Sequence, residues 1–194
     1  MRYSATHKAE TRNHLLEVSG ALAKKKGYSA TGVDALTAAA GLTSGAFYNH
    51  FSSKAELFAA LVERELEHSL AMIADNATGQ QDKEWPVRQL QRYLSWKHVQ
   101  NPEGGCPLPS LGAEIARADN AAREKFETAL KQIQGIWEKQ LGDRKLAWAT
   151  LAQLVGSVLL ARAMSSEKTG KEVLEASKSF LEQAFACRDA GPVP

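Results

Sequence analysis

Cysteine is scarce: Cys106 and Cys187 are the only two in 194 residues, and they lack metal-ligand spacing. That excludes a disulfide framework and suits a reducing, cytoplasmic setting. Long apolar runs are missing too. None reaches 18 residues, and the opening Met-Arg-Tyr-Ser-Ala-Thr-His-Lys holds no apolar signal region. No membrane span is therefore expected. Alternating apolar and polar residues, the mark of a half-buried strand, do not recur, and the six prolines fall mostly in two places. With long alanine- and leucine-rich stretches between them, the chain reads as all-α. There is no glycine-rich phosphate loop, internal repeat or low-complexity segment. No nucleophile–base pairing or metal motif appears, so neither an enzyme nor a cofactor nor a metal is expected.

Net charge is also small, +2, but it is unevenly spread. Residues 1–60 hold seven Lys/Arg against four Asp/Glu, and the rest hold seventeen against eighteen. A mildly basic beginning on a neutral body fits an anionic partner at one end. Periodicity and turn residues predict nine helices. The first runs from about Lys8 to Lys26 and stops at Gly27. Thr31-Gly-Val-Asp34 has the form of a capping box for the second, which ends at Gly41. Thr43 or Ser44 caps a short third that reaches His50 or Phe51. Ser53-Lys-Ala-Glu56 is a second capping box, opening a helix to about Asp75. A loop is expected at 76–82, then a helix from Pro86 to about Gln100. Asn101-Pro-Glu-Gly-Gly-Cys-Pro-Leu-Pro breaks the chain. Helices follow at about 110–117 and 119–141, the next is capped by Asp143, and Thr169-Gly-Lys-Glu172 is a third box.

The stretch Leu36–Phe51 carries the most chemistry. Leu36, Ala40, Leu42 and Phe47 can pack two short helices across a turn at Gly41, the requirement of a helix-turn-helix. Ser44, Gly45, Ala46, Tyr48, Asn49 and His50 are left facing outward. Thr43 and Ser44 can donate to phosphates or base edges, and Gly45 and Ala46 admit close approach. Tyr48 and His50 can donate to phosphate oxygens. Lys54 at a helix start can hold a phosphate together with free N–H groups. Thr31 has the same position on the second helix, either as a cap alone or as a cap and phosphate contact. From these residues two readings stay open, a DNA-reading unit and a plain helical hairpin within a bundle, although burying Tyr48, Asn49 and His50 together would be costly.

Residues 27–58, Gly-Tyr-Ser-Ala-Thr-Gly-Val-Asp-Ala-Leu-Thr-Ala-Ala-Ala-Gly-Leu-Thr-Ser-Gly-Ala-Phe-Tyr-Asn-His-Phe-Ser-Ser-Lys-Ala-Glu-Leu-Phe, closely resemble the signature of the TetR family of transcriptional regulators. Thr37 stands where the family more often has alanine. The resemblance, over roughly 8–60, implies an N-terminal DNA-binding domain (1–53), a helical effector-binding and dimerisation domain (54–187) and a flexible tail (188–194). It carries the family's DNA contacts to Thr31, Thr43, Ser44, Gly45, Ala46, Tyr48, Asn49, His50 and Lys54. It implies a homodimer joined through the last two helices, with Leu151, Val155, Val158, Leu159, Phe180 and Leu181 at the interface, on a palindromic double-stranded operator. The function implied is a repressor released by a small-molecule inducer; an activator of the same fold is the alternative.

Beyond residue 60, Trp85, Tyr93, Trp96, Phe126, Trp137 and Trp148 either line an apolar effector pocket or pack an ordinary core. Cys106, in Gly-Gly-Cys-Pro, is either a thiol that senses electrophiles or oxidants, or a structural, pocket-lining one.

Overall fold

The computed structural model describes residues 5–74 and 82–189. Most of the loop expected at 76–82, and the tail from 190 onward, lie outside them. The described residues form ten helices: α1 (Ala5–Lys26), α2 (Val33–Ala39), α3 (Ser44–Phe47), α4 (Lys54–Ala74), α5 (Trp85–Tyr93), α6 (Trp96–Gln100), α7 (Leu108–Ala116), α8 (Asn120–Leu141), α9 (Arg144–Ala163) and α10 (Glu167–Asp189). The all-α expectation holds. The tenth helix arises because the stretch expected to run from Pro86 to Gln100 breaks at Leu94. Ser95 turns extended there, its Oγ accepting from His98 N–H and donating to the Arg92 carbonyl.

The chain divides into two compact units, Met1–Ser69 with Pro102–Ala129, and Leu70–Asn101 with Leu130–Pro194. This grouping differs from the expected boundary at 53/54, and tertiary contacts explain it. In the first unit, α7 packs on α1. The Lys24 ammonium, buried, meets Glu65 Oε2 at 2.7 Å and donates to the Gly105 carbonyl at 3.3 Å. The Glu114 carboxylate accepts the backbone N–H groups of Tyr28 (2.9 Å) and Ser29 (2.8 Å). Lys125 pairs with Glu63. Segment 102–129 is thus tied to the helices that begin the chain.

Three expected caps come out differently. Gly32, not Thr31, is the N-cap of α2, and no side chain caps it. The Thr31 hydroxyl donates back to the Gly27 carbonyl at 2.7 Å. At α4 the Ser53 hydroxyl accepts Glu56 N–H, as expected, but Glu56 returns its bonds one residue early, to the N–H and O–H of Ser52. At α10 the capping hydroxyl is Ser166, which accepts from Thr169 N–H, so the helix starts before the Thr169 box. Asp143 caps α9 as expected, accepting from Lys145 and Leu146. The C-terminus of α10 reaches Asp189, into the region expected to be tail.

The second unit is built on Trp85, Leu90, Trp137, Leu154, Val158 and Leu181, with the Trp85 and Trp137 rings edge to face at 4.8 Å. Helices α9 and α10 make its largest contact, which is fixed in register by buried hydroxyls: Ser157 Oγ donates to Ser177 Oγ at 2.7 Å, and Gln153 Nε2 donates to the same oxygen at 3.1 Å. Arg162 ties the end of α9 to the carbonyls of His98 and Val99. Helix α9 has the length and apolar composition to cross a bilayer, yet Ala147, Leu151, Leu154, Val158 and Ala161 face this core. That i, i+3/i+4 stripe points inward. The expected interface residues therefore divide. Leu151, Val158 and Leu181 are buried in their own unit, Val155 is half-buried, and Leu159 and Phe180 are exposed.

Candidate nucleic-acid interface

The reading head begins with a helix end that only a left-handed residue can make. After α2, Gly41 has φ +68°, its N–H bonds the Ala38 carbonyl, and Leu42 N–H bonds the Thr37 carbonyl at 2.8 Å. This is a Schellman closure, and it turns the chain sharply into α3. The hydroxyl of buried Thr37 donates to the carbonyls of Val33 and Asp34, so threonine is accommodated within α2. Thr43 caps α3, its Oγ1 accepting from Ala46 N–H at 3.3 Å.

One turn of α3 then carries the exposed set. Phe47 is fully buried and fastens the turn to the unit's core. Thr43, Ser44, Gly45 and Asn49 are exposed, Ala46 is half-buried, and nothing but Thr43 Oγ1 comes within 4 Å of a Cβ placed on Gly45. Tyr48 is 63% exposed and stands edge-on to Phe47, centroids 5.1 Å apart. Ser44 is not idle: its hydroxyl donates to Asp34 Oδ1 at 2.6 Å. Sequence reasoning missed this bond, which joins the start of α3 to the first turn of α2. No periodicity links positions ten apart.

Lys54 opens α4. Its ammonium lies 4.8 Å over the Tyr28 ring and donates to the Ser29 carbonyl at 3.3 Å, while the Tyr28 hydroxyl donates to the Lys54 carbonyl at 2.6 Å. Tyr28 is in turn stacked on Phe58, and burial followed by the field of Glu114 pushes its hydroxyl pKa well up, so it stays a neutral donor. Lys54 is therefore positioned by an aromatic platform. His50 is half-buried, and burial first, then Lys8 and Arg12, hold its imidazole below the ordinary range. At pH 7 the ring is neutral. Thr31 departs from expectation: it is buried, and its single hydroxyl proton goes to Gly27, leaving no donor for a phosphate.

The arrangement is a helix-turn-helix with an exposed second helix and a flanking cation. A model of the TetR family, described as bacterial regulatory proteins, matches residues 15–61. The HTH-type transcriptional repressor DhaR of a Mycobacterium species (strain GP1) is 32% identical over 166 residues, covering 76% of this chain and 80% of that protein. This chain belongs to the TetR family. It is a DNA-binding transcriptional regulator. Solved structures share its fold: reduced NemR of E. coli has a TM-score of 0.77 at 19% identity, covering 90% of this chain and 96% of that one. A TetR regulator of Chloroflexus aurantiacus has a TM-score of 0.76 at 22% identity, covering 92% and 97%.

In this TetR family member the aromatic residues expected to line one pocket are divided. Trp85, Tyr93, Trp96, Trp137 and Trp148 belong to the second unit, and Cys106 and Phe126 to the first. Trp85 and Trp137 are fully buried core residues. Even so, the indole N–H groups of Trp85, Trp96 and Trp137 are sealed from solvent and meet no acceptor among the described residues, and the buried Thr150 hydroxyl is likewise unpartnered. Cys106 is half-buried and Cys187 exposed. Among the described residues no three His, Cys, Asp or Glu side chains gather to hold a metal.

Proposed function

We propose that this regulator is a repressor that binds a palindromic operator as a homodimer and is released by a small-molecule inducer. The observation that carries the DNA contact is the exposed turn Thr43–Asn49, pinned by buried Phe47 and flanked by Lys54 on its Tyr28 platform. Ser44 and Asn49 are the base-reading candidates, with Ser44 oriented by Asp34. Gly45 and Ala46 give backbone room, and Thr43, Tyr48, His50 and Lys54 face phosphates. The repressor sense rests on the relative named as one.

A duplex recovered by repeated selection from random-sequence DNA tests this. Lys54→Ala should weaken binding to all duplexes alike and lower the slope of log K against log salt by about 0.9, one phosphate's worth. Asn49→Ala should instead change which duplexes are preferred. If selection enriches no sequence, the operator reading fails.

The dimer would be joined through the outer side of α9 and α10, where Leu159, Leu160, Met164 and Phe180 are exposed. An apolar group of this kind is what a second copy would cover. A twofold pair then reads half-sites about 34 Å apart, one DNA turn. Phe180→Glu is expected to give the monomer mass in sedimentation and to lose tight operator binding, since both half-sites must be held at once. A dimer that survives this change would remove Phe180 from the interface.

For the inducer, the support is the group of unpartnered donors inside the second unit, Trp85, Trp96, Trp137 and Thr150. Buried donors without acceptors are costly, and a ligand bearing an acceptor would satisfy them. Control then follows from differential affinity: the inducer must bind better to dimers whose heads no longer match the groove spacing.

A further inference from the structure

Helix α1 begins with two cations. Lys8 and Arg12 are four residues apart, so they share one helix face, one turn ahead of the buried Leu15 and Leu16. The Arg12 guanidinium lies 4.6 Å over the Phe51 ring, and Phe51 is buried immediately after His50. Neither Lys8 nor Arg12 forms an ion pair with any described residue. The carboxylate nearest in influence, Glu56, already accepts the N–H and O–H of Ser52. At His50, Nδ1 is sealed and meets no partner. A proton there would be a buried unsatisfied donor, so the neutral ring carries its proton on Nε2. Two cations outside any ion pair with a described residue thus share one face of α1, Arg12 stacked on Phe51 next to His50 and within the field of Glu56.

We propose that Lys8, Arg12 and His50 form a second phosphate site of the reading head, taking a backbone phosphate of double-stranded DNA other than the one at Lys54. This rests on the operator-binding reading above. Lys8 and Arg12 precede the residues that the family model matches, 15–61. The chemistry suits the task. A guanidinium forks onto phosphate oxygens, and its contact with Phe51 holds the fork in place before DNA arrives. Lys8 adds a point charge, and His50 adds a neutral donor. Such a contact contributes affinity and register without reading sequence.

The test uses fluorescence anisotropy with the selected duplex and a scrambled duplex across a salt series. Arg12→Ala and Lys8→Ala are each expected to weaken both duplexes alike, about tenfold at 0.1 M salt, and to lower the salt slope by about 0.9. Arg12→Lys should keep the slope. Lys26→Ala, at the opposite end of α1, should keep both affinity and slope, which controls for net charge. Should Arg12→Ala fold poorly, Arg12→Gln retains the stem over Phe51 and Lys8→Ala stands by itself. Wild-type affinity and slope in both the Arg12 and Lys8 variants would overturn the proposal while Lys54→Ala still shows its own loss. If Lys54→Ala and Tyr48→Phe also bind like wild type, the operator reading itself fails. A site for the free anion would show otherwise: 20 mM inorganic phosphate at matched ionic strength would raise the wild-type melting temperature and not that of Arg12→Ala, and that result would also overturn the proposal.

Discussion

Glu65→Ala is expected to destabilise the protein by about 3–5 kcal/mol, because it leaves the Lys24 ammonium buried without its counter-charge. Lys24 and Glu65 side chains are only 6% and 13% exposed and lie 2.7 Å apart. Lys24's remaining acceptor, the Gly105 carbonyl at 3.3 Å, is neutral and cannot replace a carboxylate. The packing around the pair is close: a Cβ on Gly20 would sit 2.4 Å from Glu65 Oε1. Glycine at position 20 therefore admits the carboxylate rather than bending the chain. The double variant Lys24→Met with Glu65→Leu should be near wild-type stability, since removing both charges together removes both desolvation costs. Urea denaturation followed by helical circular dichroism measures each. A loss under about 1 kcal/mol for Glu65→Ala would show that Lys24 finds water or another partner.

Two adjacent aromatic residues should give opposite results. Phe47→Ala is expected to cost about 3–5 kcal/mol, the range for deleting a fully buried phenyl ring, and to abolish selective DNA binding. No exposed group changes in that variant, but Ser44, Tyr48 and Asn49 lose the anchor that orients them. Tyr48→Phe removes only an exposed hydroxyl. Stability should stay within about 0.5 kcal/mol of wild type. Binding to every duplex should fall about tenfold or more, the worth of one hydrogen bond to a charged phosphate. Thermal melts and anisotropy on the same samples separate the two effects. Equal losses of binding with equal losses of stability would mean that Tyr48 acts by packing on Phe47.

The features readable from the sequence were those set by local backbone demands. Gly41 must take a positive φ to close α2, Asp143 caps the helix after it, and Phe47 follows from apolar spacing. The features that escaped depend on partners distant in the chain. A Thr-x-x-Asp or Thr-x-x-Glu string has the form of a capping box, but it caps only where the threonine is extended at the helix start. Thr31 instead serves the Gly27 turn, and α10 has begun before Thr169. The break at Ser95 looked like continuous helix because serine is tolerated within one. The outer and inner sides of α9 could not be told apart while both were apolar; only the packing of α10 shows that Val158 faces in and Leu159 faces out. Likewise, nothing in the sequence links position 114 to position 28.

That last contact matters for how such a protein can diversify. Glu114 grips main-chain N–H groups of Tyr28 and Ser29, not their side chains. Any residue except proline offers the same N–H, so the grip is blind to what occupies 28 and 29. Base preference can then drift through mutation of the exposed turn while the fastening to α7 carries over unchanged. Inheritance of the attachment is separated from inheritance of the address.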